Sequence, residues 1–527
     1  SRILGVPVEQ IRKELDKASR FSRRRASVLF KQLPKEVKVR LDERNFPGFF
    51  TVYRTVRSYP TKIAGNLLGY VGEVDDRIIE RNSYYRSGDY IGRSGIELAY
   101  EDVLRGEKGV KIEMVDVHGI PQGSYAGGMY DTLPSPGVAI TCTIDARLQA
   151  LAEELMAGKV GSVVAIEPET GEILVMASSP TYDPDELVGR ERGNNYMKLL
   201  NDRRRPLFNR AVMAERQPGS SFKPFVYMNA LEQGATPSDT VQDSPIPGDW
   251  NPQNYDRSFH GTVSYRTALT YSYNVPAVKV AMKYGTEKTL KLAKRLGITT
   301  LVDDDDNAAM ALGGLTHGVT PLEMAGAYAG IANMGKFNKP TPIVKILDRN
   351  GKVLYEHKTN PTQAVKPETA YMMISMMEDV MTRGTGRGAA INRPCAGKSG
   401  TTDTYHDAWF VGFTPNLACA VWIGDDNNES LGGMTGGGEP ATLWRTFMSG
   451  ALDGIPAEDF EKPDGFKMPA PKYEAPKAQP KKDTAKKQDT KKQNSKKEDS
   501  LPGGGNVPQP PRSGKSSTPP PVRPPKQ

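Results

Sequence analysis

The sequence predicts an α+β fold, and three observations carry that prediction. Apolar runs at 162–166 and 173–177 flank Pro168-Glu169-Thr170-Gly171, the pattern of a β-hairpin. Three further strand-like runs, 395–402, 408–413 and 418–424, lie near the end of the same region, the last two joined by the turn Thr414-Pro415-Asn416. Between hairpin and meander come segments with helix-capping signals. Strands at both ends with helices between them imply one antiparallel sheet with helices packed on its faces.

At 527 residues the chain is too long for one compact core, and 37% hydrophobic with 25% charged content is low for a chain folded throughout. Three regions are expected: an elongated accessory domain over 1–137, incomplete at its start; a main domain over 138–456; and a Lys/Pro-rich tail over 457–527. The overall charge of +8 belongs to the tail, because from Lys467 onward fifteen Lys and Arg face five Asp and Glu, leaving −2 for the rest. The folded part therefore offers no overall basic surface, which argues against a nucleic-acid partner. Lysine pairs beginning at 481, 486, 491 and 496 repeat every five residues and so form no helical face. A disordered, solvated tail is expected, with an electrostatic tether to an anionic polymer or membrane as the alternative.

Cys142, Cys395 and Cys419 are too few for a disulfide framework and lack metal spacing, so neither metal nor cofactor is expected. No run reaches the roughly eighteen apolar residues of a membrane span. The chain opens Ser1-Arg2-Ile3 with no methionine, so an upstream segment is expected.

In chain order, 8–25 has helical apolar spacing with many Arg and Lys, and 51–57 is a strand-like run. Residues 90–97 lead into a short helix at 98–104 that ends at Gly106, and 110–117 alternates like a strand. Pro134 to Gly137 is a break. Asp145 begins a helix through 155 as its N-cap. The run 226–231 continues as a helix to Gly234, and 262–270 reads as another. Thr320-Pro321-Leu322-Glu323 combines a cap, a first-position proline and a capping-box glutamate, with Gly335 beyond the end. A last helix follows Pro440 through Met448.

Chemistry concentrates on the stretch Gln217 to Phe225. It reads as a turn, Pro218-Gly219, running into a helix start where Ser220 and Lys223 share a face. Alone, the pair is a capping serine and a solvated lysine. Two further motifs follow in order: Ser272-Tyr273-Asn274 after the 262–270 helix, and Lys398-Ser399-Gly400-Thr401-Thr402 on the edge of the meander. The order S-x-x-K, S-x-N, K-[ST]-G is a serine acyl-transferase signature.

Residue types divide the labour. Ser220 attacks a carbonyl carbon with Lys223 as its base, and Ser272 relays a proton to the departing amine. Asn274 holds Lys223 and a substrate amide, while Lys398 supplies positive charge that lowers neighbouring pKa values and attracts a carboxylate. Gly400 lets a substrate backbone approach the strand edge as an added strand. The backbone N–H groups of Ser220 and Thr401 suit an oxyanion, and Ser399, Thr401 and Thr402 offer hydroxyls to a terminal carboxylate. His317 and His406 lie near this cleft in sequence order without a triad or metal partner, and structural roles are expected for them. Asp303 to Asp306 reads as a solvated acidic run.

From about Asp145 to Leu452 the chain resembles the transpeptidase domain of penicillin-binding proteins, including Gly171-Glu172-Ile173-Leu174-Val175-Met176 and Tyr182-Asp183-Pro184. Gly92-Arg93-Ser94-Gly95-Ile96-Glu97 with Leu104-Arg105-Gly106 looks like the pedestal domain of class B members. Two segments, 312–323 and 407–412, look more like the bifunctional class A members, although no glycosyltransferase domain is seen upstream. The resemblance implies a serine transpeptidase/β-lactamase-like fold that cross-links peptidoglycan stem peptides with loss of a terminal D-Ala. It also implies β-lactams as covalent inhibitors, a membrane anchor ahead of residue 1, other cell-wall synthesis proteins as candidate partners, and a place on the extracytoplasmic face of the bacterial cytoplasmic membrane. A D,D-carboxypeptidase, with water as acceptor, and a β-lactam-sensing receptor domain remain alternatives. A β-lactamase is disfavoured because Glu287-Lys288-Thr289-Leu290-Lys291 lacks the Asn of the deacylating motif.

Overall fold

The computed structural model describes residues 1–21, 26–31, 33–52, 55–117, 121–248 and 250–470. The expected tail from 471 onward lies outside these residues.

The framework of the main domain is a five-stranded antiparallel sheet. Its strands are β1 (Gly161–Ile166), β2 (Ile173–Ser179), β3 (Ala396–Thr401), β4 (Asp407–Phe413) and β5 (Ala418–Gly424), in the spatial order β3-β4-β5-β1-β2. The predicted hairpin and meander thus join through β5 and β1, where Val421 stands opposite Val163. Nearly every residue of β1, β4 and β5 is buried, so both faces must be covered.

Seven of the covering helices are α1 (Ala146–Leu155), α2 (Lys223–Glu232), α3 (Tyr265–Thr270), α4 (Asn274–Tyr284), α5 (Thr286–Arg295), α6 (Pro321–Ala332) and α7 (Pro367–Thr382), and an eighth is α8 (Glu439–Ala451). Period-two alternation divides the core between them. Val164, Trp409, Val411 and Trp422 share one apolar cluster with Phe222, Tyr227, Met324, Tyr328 and Met373. Val163, Phe410 and Val421 share the other with Leu148, Ala152, Trp444 and Phe447 from α1 and α8.

The cap signals translate directly into geometry. Asp145 accepts from the backbone N–H of Arg147 and Leu148 at 2.8 and 3.0 Å, and Thr320 and Glu323 close a reciprocal capping box at the start of α6. The expected helix at 262–270 begins later, because Ser264 is its N-cap. Gly261–Ser264 instead pairs with Thr240–Asp243 as a two-stranded ribbon.

Other elements carried no clear signal. A three-stranded sheet joins Ala139–Cys142, Ile343–Leu347 and Val353–Glu356, and α4, α5 and the methionine-rich α7 fill the helical layer.

In the N-terminal region a helix spans Val8–Phe21 and a short ribbon pairs Val71–Glu73 with Tyr90–Gly92. The strand expected at 51–57 is not formed: among its described residues none pairs, and Val52 and Val56 are exposed. A strand-like run without a neighbouring strand has no ladder to join, and Arg57 instead forms an ion pair with Glu97 at 2.7 Å. The helix expected at 98–104 is two short helices, Gly95–Ala99 and Glu101–Leu104, and of 110–117 only Glu113–Val115 is strand. The expected start of the tail at 457 is also corrected. Phe460 is buried with its ring 5.6 Å from that of Phe413, and Phe466 packs on Tyr371 at 6.0 Å. Within the acidic run 303–306, Asp305 is buried and accepts from the N–H of Thr316 and Val302, so that residue is structural and not solvated.

Candidate active site

Gly219–Phe222 forms a 3₁₀ turn that leads into α2, with Pro224 in its first turn. Gly219 has φ +54°, and a Cβ there would lie 2.6 Å from the carbonyl oxygen of Thr401, so glycine alone lets this turn lie against β3. The turn is clamped on all sides. Trp409 Nε1 donates to Gln217 O at 2.9 Å, Leu315 N donates to Gln217 Oε1 at 2.8 Å, and Tyr328 OH donates to Ser221 O at 2.6 Å.

The two adjacent serines differ in environment. Ser221 is fully buried and donates to Pro218 O at 2.7 Å, whereas Ser220 is the half-buried member of an otherwise buried run. Neither the turn nor α2 uses Ser220 as a side-chain cap. The bland explanation for that serine is therefore gone.

Two lysines near this turn, Lys223 at the start of α2 and Lys398 on β3, have no exposed surface. Lys223 Nζ donates to Ser272 O at 2.6 Å and Asn274 Oδ1 at 2.6 Å, and lies 3.2 Å from Ser272 Oγ. Lys398 Nζ donates to Ser272 Oγ at 2.9 Å and Ser399 O at 3.0 Å. Ser272 Oγ thus bridges the two amines. Burial pushes Lys223 well below its ordinary range, and the Lys398 charge adds to that effect against a smaller opposing pull from Asp403. Burial brings Lys398 down to about 7. Burial and the neighbouring charge both favour the neutral amine of Lys223, the form able to take a proton. Ser272 itself is held at φ +60°, a left-handed conformation that costs a non-glycine residue about 1–3 kcal/mol unless the surroundings fix it.

The β3 motif splits by strand parity. Lys398 and Gly400 face the turn: a Cβ at Gly400 would lie 2.2 Å from Pro218 O, so the turn's close approach requires this glycine. Ser399 and Thr401 face the opposite side, where Ser399 Oγ donates to Thr385 Oγ1 at 2.9 Å and Thr401 Oγ1 accepts from Gly436 N at 3.0 Å. Thr402 Oγ1 accepts from the N–H of His406 and Asp407, which places it in the β3–β4 connection. Thr402 N donates to Asp407 O, so by alternation the Thr401 N–H points away from β4, out of the open edge. Gly219 lies against the Thr401 backbone, so the turn that carries Ser220 sits beside this edge.

His317 is exposed, and His406 Nδ1 lies 3.2 Å from Thr404 Oγ1. Among the described residues no group of His, Cys, Asp or Glu could hold a metal ion, and no helix is long and apolar enough to cross a membrane. Thr385 and Gly436, which complete the walls around Ser399 and Thr401, carry no signal in sequence, because neither stands in a motif.

Residues 161–448 match the family model described as the penicillin-binding protein transpeptidase domain. The chain belongs to this family. Residues 1–141 match the penicillin-binding protein dimerisation domain, which agrees with a class B-like organisation and accounts for the N-terminal region. Among curated relatives, penicillin-binding protein 1A of Aquifex aeolicus is 38% identical over 313 residues, which are 58% of this chain and 39% of that protein. Penicillin-binding protein 4 of Bacillus subtilis is 34% identical over 330 residues, 61% of this chain and 50% of that one. The chain thus spans half or less of these relatives. Among solved structures, penicillin-binding protein PBP2 of Pseudomonas aeruginosa superposes with a TM-score of 0.63 at 27% identity, over 76% of this chain and 92% of that one. The imipenem acyl-enzyme of penicillin-binding protein A from M. tuberculosis superposes with a TM-score of 0.55 at 27% identity, over 60% and 80%. In this penicillin-binding protein the S-x-x-K, S-x-N and K-S-G residues come from the start of α2, the α3–α4 junction and β3.

Proposed function

We propose that the protein is a peptidoglycan D,D-transpeptidase that carries a stem-peptide acyl group on Ser220 and is acylated there by β-lactams. The observation that carries this reading is the bridge from Lys223 through Ser272 Oγ to Lys398, buried near the turn that carries a half-exposed Ser220. The acyl-enzyme form of the M. tuberculosis neighbour supports the β-lactam part.

Neutral Lys223 takes the proton from Ser220 Oγ as the oxygen bonds to the carbonyl carbon of the penultimate D-Ala. The carbonyl electrons move onto oxygen, which faces the N–H groups of Ser220 and Thr401; one such donor contributes about 3–4 kcal/mol in comparable sites. Collapse breaks the C–N bond. The leaving D-Ala amine receives the proton from Lys223 through Ser272 Oγ, and the acyl group stays on Ser220. An amine from a second stem then attacks the ester, gives up its proton along the same route, and Ser220 departs as the alcohol. Lys398 contributes positive charge beside Ser272 that attracts the terminal carboxylate. We further place the protein on the extracytoplasmic face of the cytoplasmic membrane, held by an anchor ahead of residue 1 and working with other cell-wall synthesis proteins.

The test supplies a donor pentapeptide stem together with an acceptor amine. A cross-linked product with one D-Ala released per link supports the reading. Release of D-Ala without cross-linking replaces it with a D,D-carboxypeptidase, and acylation by penicillin without any turnover of donor replaces it with a receptor.

A further inference from the structure

The segment that supplies Ser272 and Asn274 is held from behind by side chains with no part in the chemistry above. Asn254 is 3% exposed and accepts from the backbone N–H of Asn274 at 2.8 Å and of Val275 at 3.3 Å. It therefore caps α4 from a separate loop, while α4 has no side-chain cap of its own from Tyr273. Asn254 Nδ2 donates to Asp243 Oδ2 at 2.7 Å and to Ser258 O at 2.8 Å.

Asp243 ends the short strand Thr240–Asp243, and its side chain has no exposed surface. Its Oδ2 also accepts from His260 N at 2.9 Å and lies 2.9 Å from His260 Nδ1. The other ring nitrogen lies 3.0 Å from Asp256 Oδ2, and the ring stacks on Tyr273 at 4.0 Å and 16°. Asp243 Oδ1 has no hydrogen-bond partner among the described residues. A buried carboxylate with one oxygen unsatisfied costs stability, and a local demand on its other oxygen must offset that cost.

The demand comes from Ser272. A serine at φ +60° persists only when its surroundings over-determine it. Both residues that follow it are fixed from this one cluster, Tyr273 by the His260 ring and Asn274 by Asn254.

We propose that Asp243 and Asn254 form a positioning pair for acyl transfer: Asp243 orients the Asn254 amide, Asn254 fixes the first turn of α4, and Asn274 Oδ1 is thereby held 2.6 Å from Lys223 Nζ. His260 backs the same loop through Tyr273. This inference rests on the acyl-transfer reading.

The test measures acylation of the full chain by a fluorescent penicillin in stopped flow, separating the non-covalent binding constant from the acylation rate constant, with a pH profile and a melting temperature for each variant. Asn254→Ala is expected to slow the acylation step by about tenfold to a hundredfold, the cost of a misplaced base, with little change in the binding constant. The acidic limb of its pH profile is expected to move, because Lys223 has lost its fixed partner. Asn254→Asp alone sets two carboxylates against each other, and adding Asp243→Asn is expected to recover most of the lost rate. A folded Asn254→Ala that acylates at the wild-type rate with an unchanged pH profile overturns the proposal, as does a double variant no faster than Asn254→Asp. Should Asn254→Ala fail to fold, the isosteric Asp243→Asn decides in the same way: slower acylation with unchanged binding supports the pair, and an unchanged rate overturns it. Labelling that persists in Ser220→Ala is a separate result that overturns the acyl-transfer reading and this inference with it.

Discussion

Lys398 Nζ donates to Ser272 Oγ at 2.9 Å across 126 residues of sequence, joining an edge strand to an inter-helix loop. Neither residue is unusual alone. Together they place a second buried amine one hydroxyl away from Lys223, and the proposed chemistry of the cleft depends on that spacing.

Removing the bridge tests it first. Ser272→Gly is expected to relieve the left-handed strain, leaving unfolding in denaturant unchanged or slightly more resistant, while deleting the relay hydroxyl. Acylation by penicillin is expected to fall by about 10²–10⁴-fold, the usual contribution of a positioned proton-transfer group. A stable variant with near wild-type acylation would remove Ser272 from the mechanism.

Lys398 also leaves a mark on stability. Its folded pKa of about 7 lies below the ordinary 10.5, so between these values the unfolded chain binds a proton that the folded chain does not. Stability from this residue is expected to rise as pH climbs from about 7 toward 10, and to be flat below 7, where both states are protonated. Urea unfolding at several pH values checks this: Lys398→Met should remove up to one proton from the slope, and an identical slope in both proteins would contradict the buried, depressed amine.

The approach of the turn to β3 gives a third expectation. Gly400→Ala drives a methyl group to 2.2 Å from Pro218 O, a contact with backbone that cannot swing aside. A loss of about 1–3 kcal/mol in unfolding free energy is expected, with slower acylation, because Ser220 rides on the displaced turn.

Tyr328→Phe probes the clamp beneath Ser220. The Tyr328 hydroxyl donates to Ser221 O at 2.6 Å inside the core, and its removal leaves that carbonyl unsatisfied. Denaturation should show a loss of about 1–3 kcal/mol. Retention of full stability would mean that the carbonyl finds another donor.

Much of this was legible from residues alone, for identifiable reasons. Four of the five strands of the main sheet announce themselves as short apolar runs bounded by turns, and α1 and α6 through Asp145 and Thr320 with Glu323. Ser220 and Lys223 are marked by helical spacing. What sequence could not show is which long-range approach makes them function. It offered no means to learn that Gly400 answers to Pro218, that Ser399 and Thr402 turn to different neighbours, or that Asn254 reaches across to cap α4. The longest helix among the described residues, α7, starts at Lys366-Pro367 without a side-chain cap, which left its first-position proline as a weaker start signal. The strand-like run at 51–57 misled because β propensity says nothing about whether a partner strand exists.

The central claim is that Ser220 carries the acyl group. The most direct measurement is intact-mass and peptide mapping of the purified chain after incubation with a labelled penicillin. One penicilloyl adduct on the peptide containing Ser220, absent in Ser220→Ala, is the predicted result; an adduct on Ser221, on Ser272 or on a lysine, or labelling undiminished in Ser220→Ala, would contradict it.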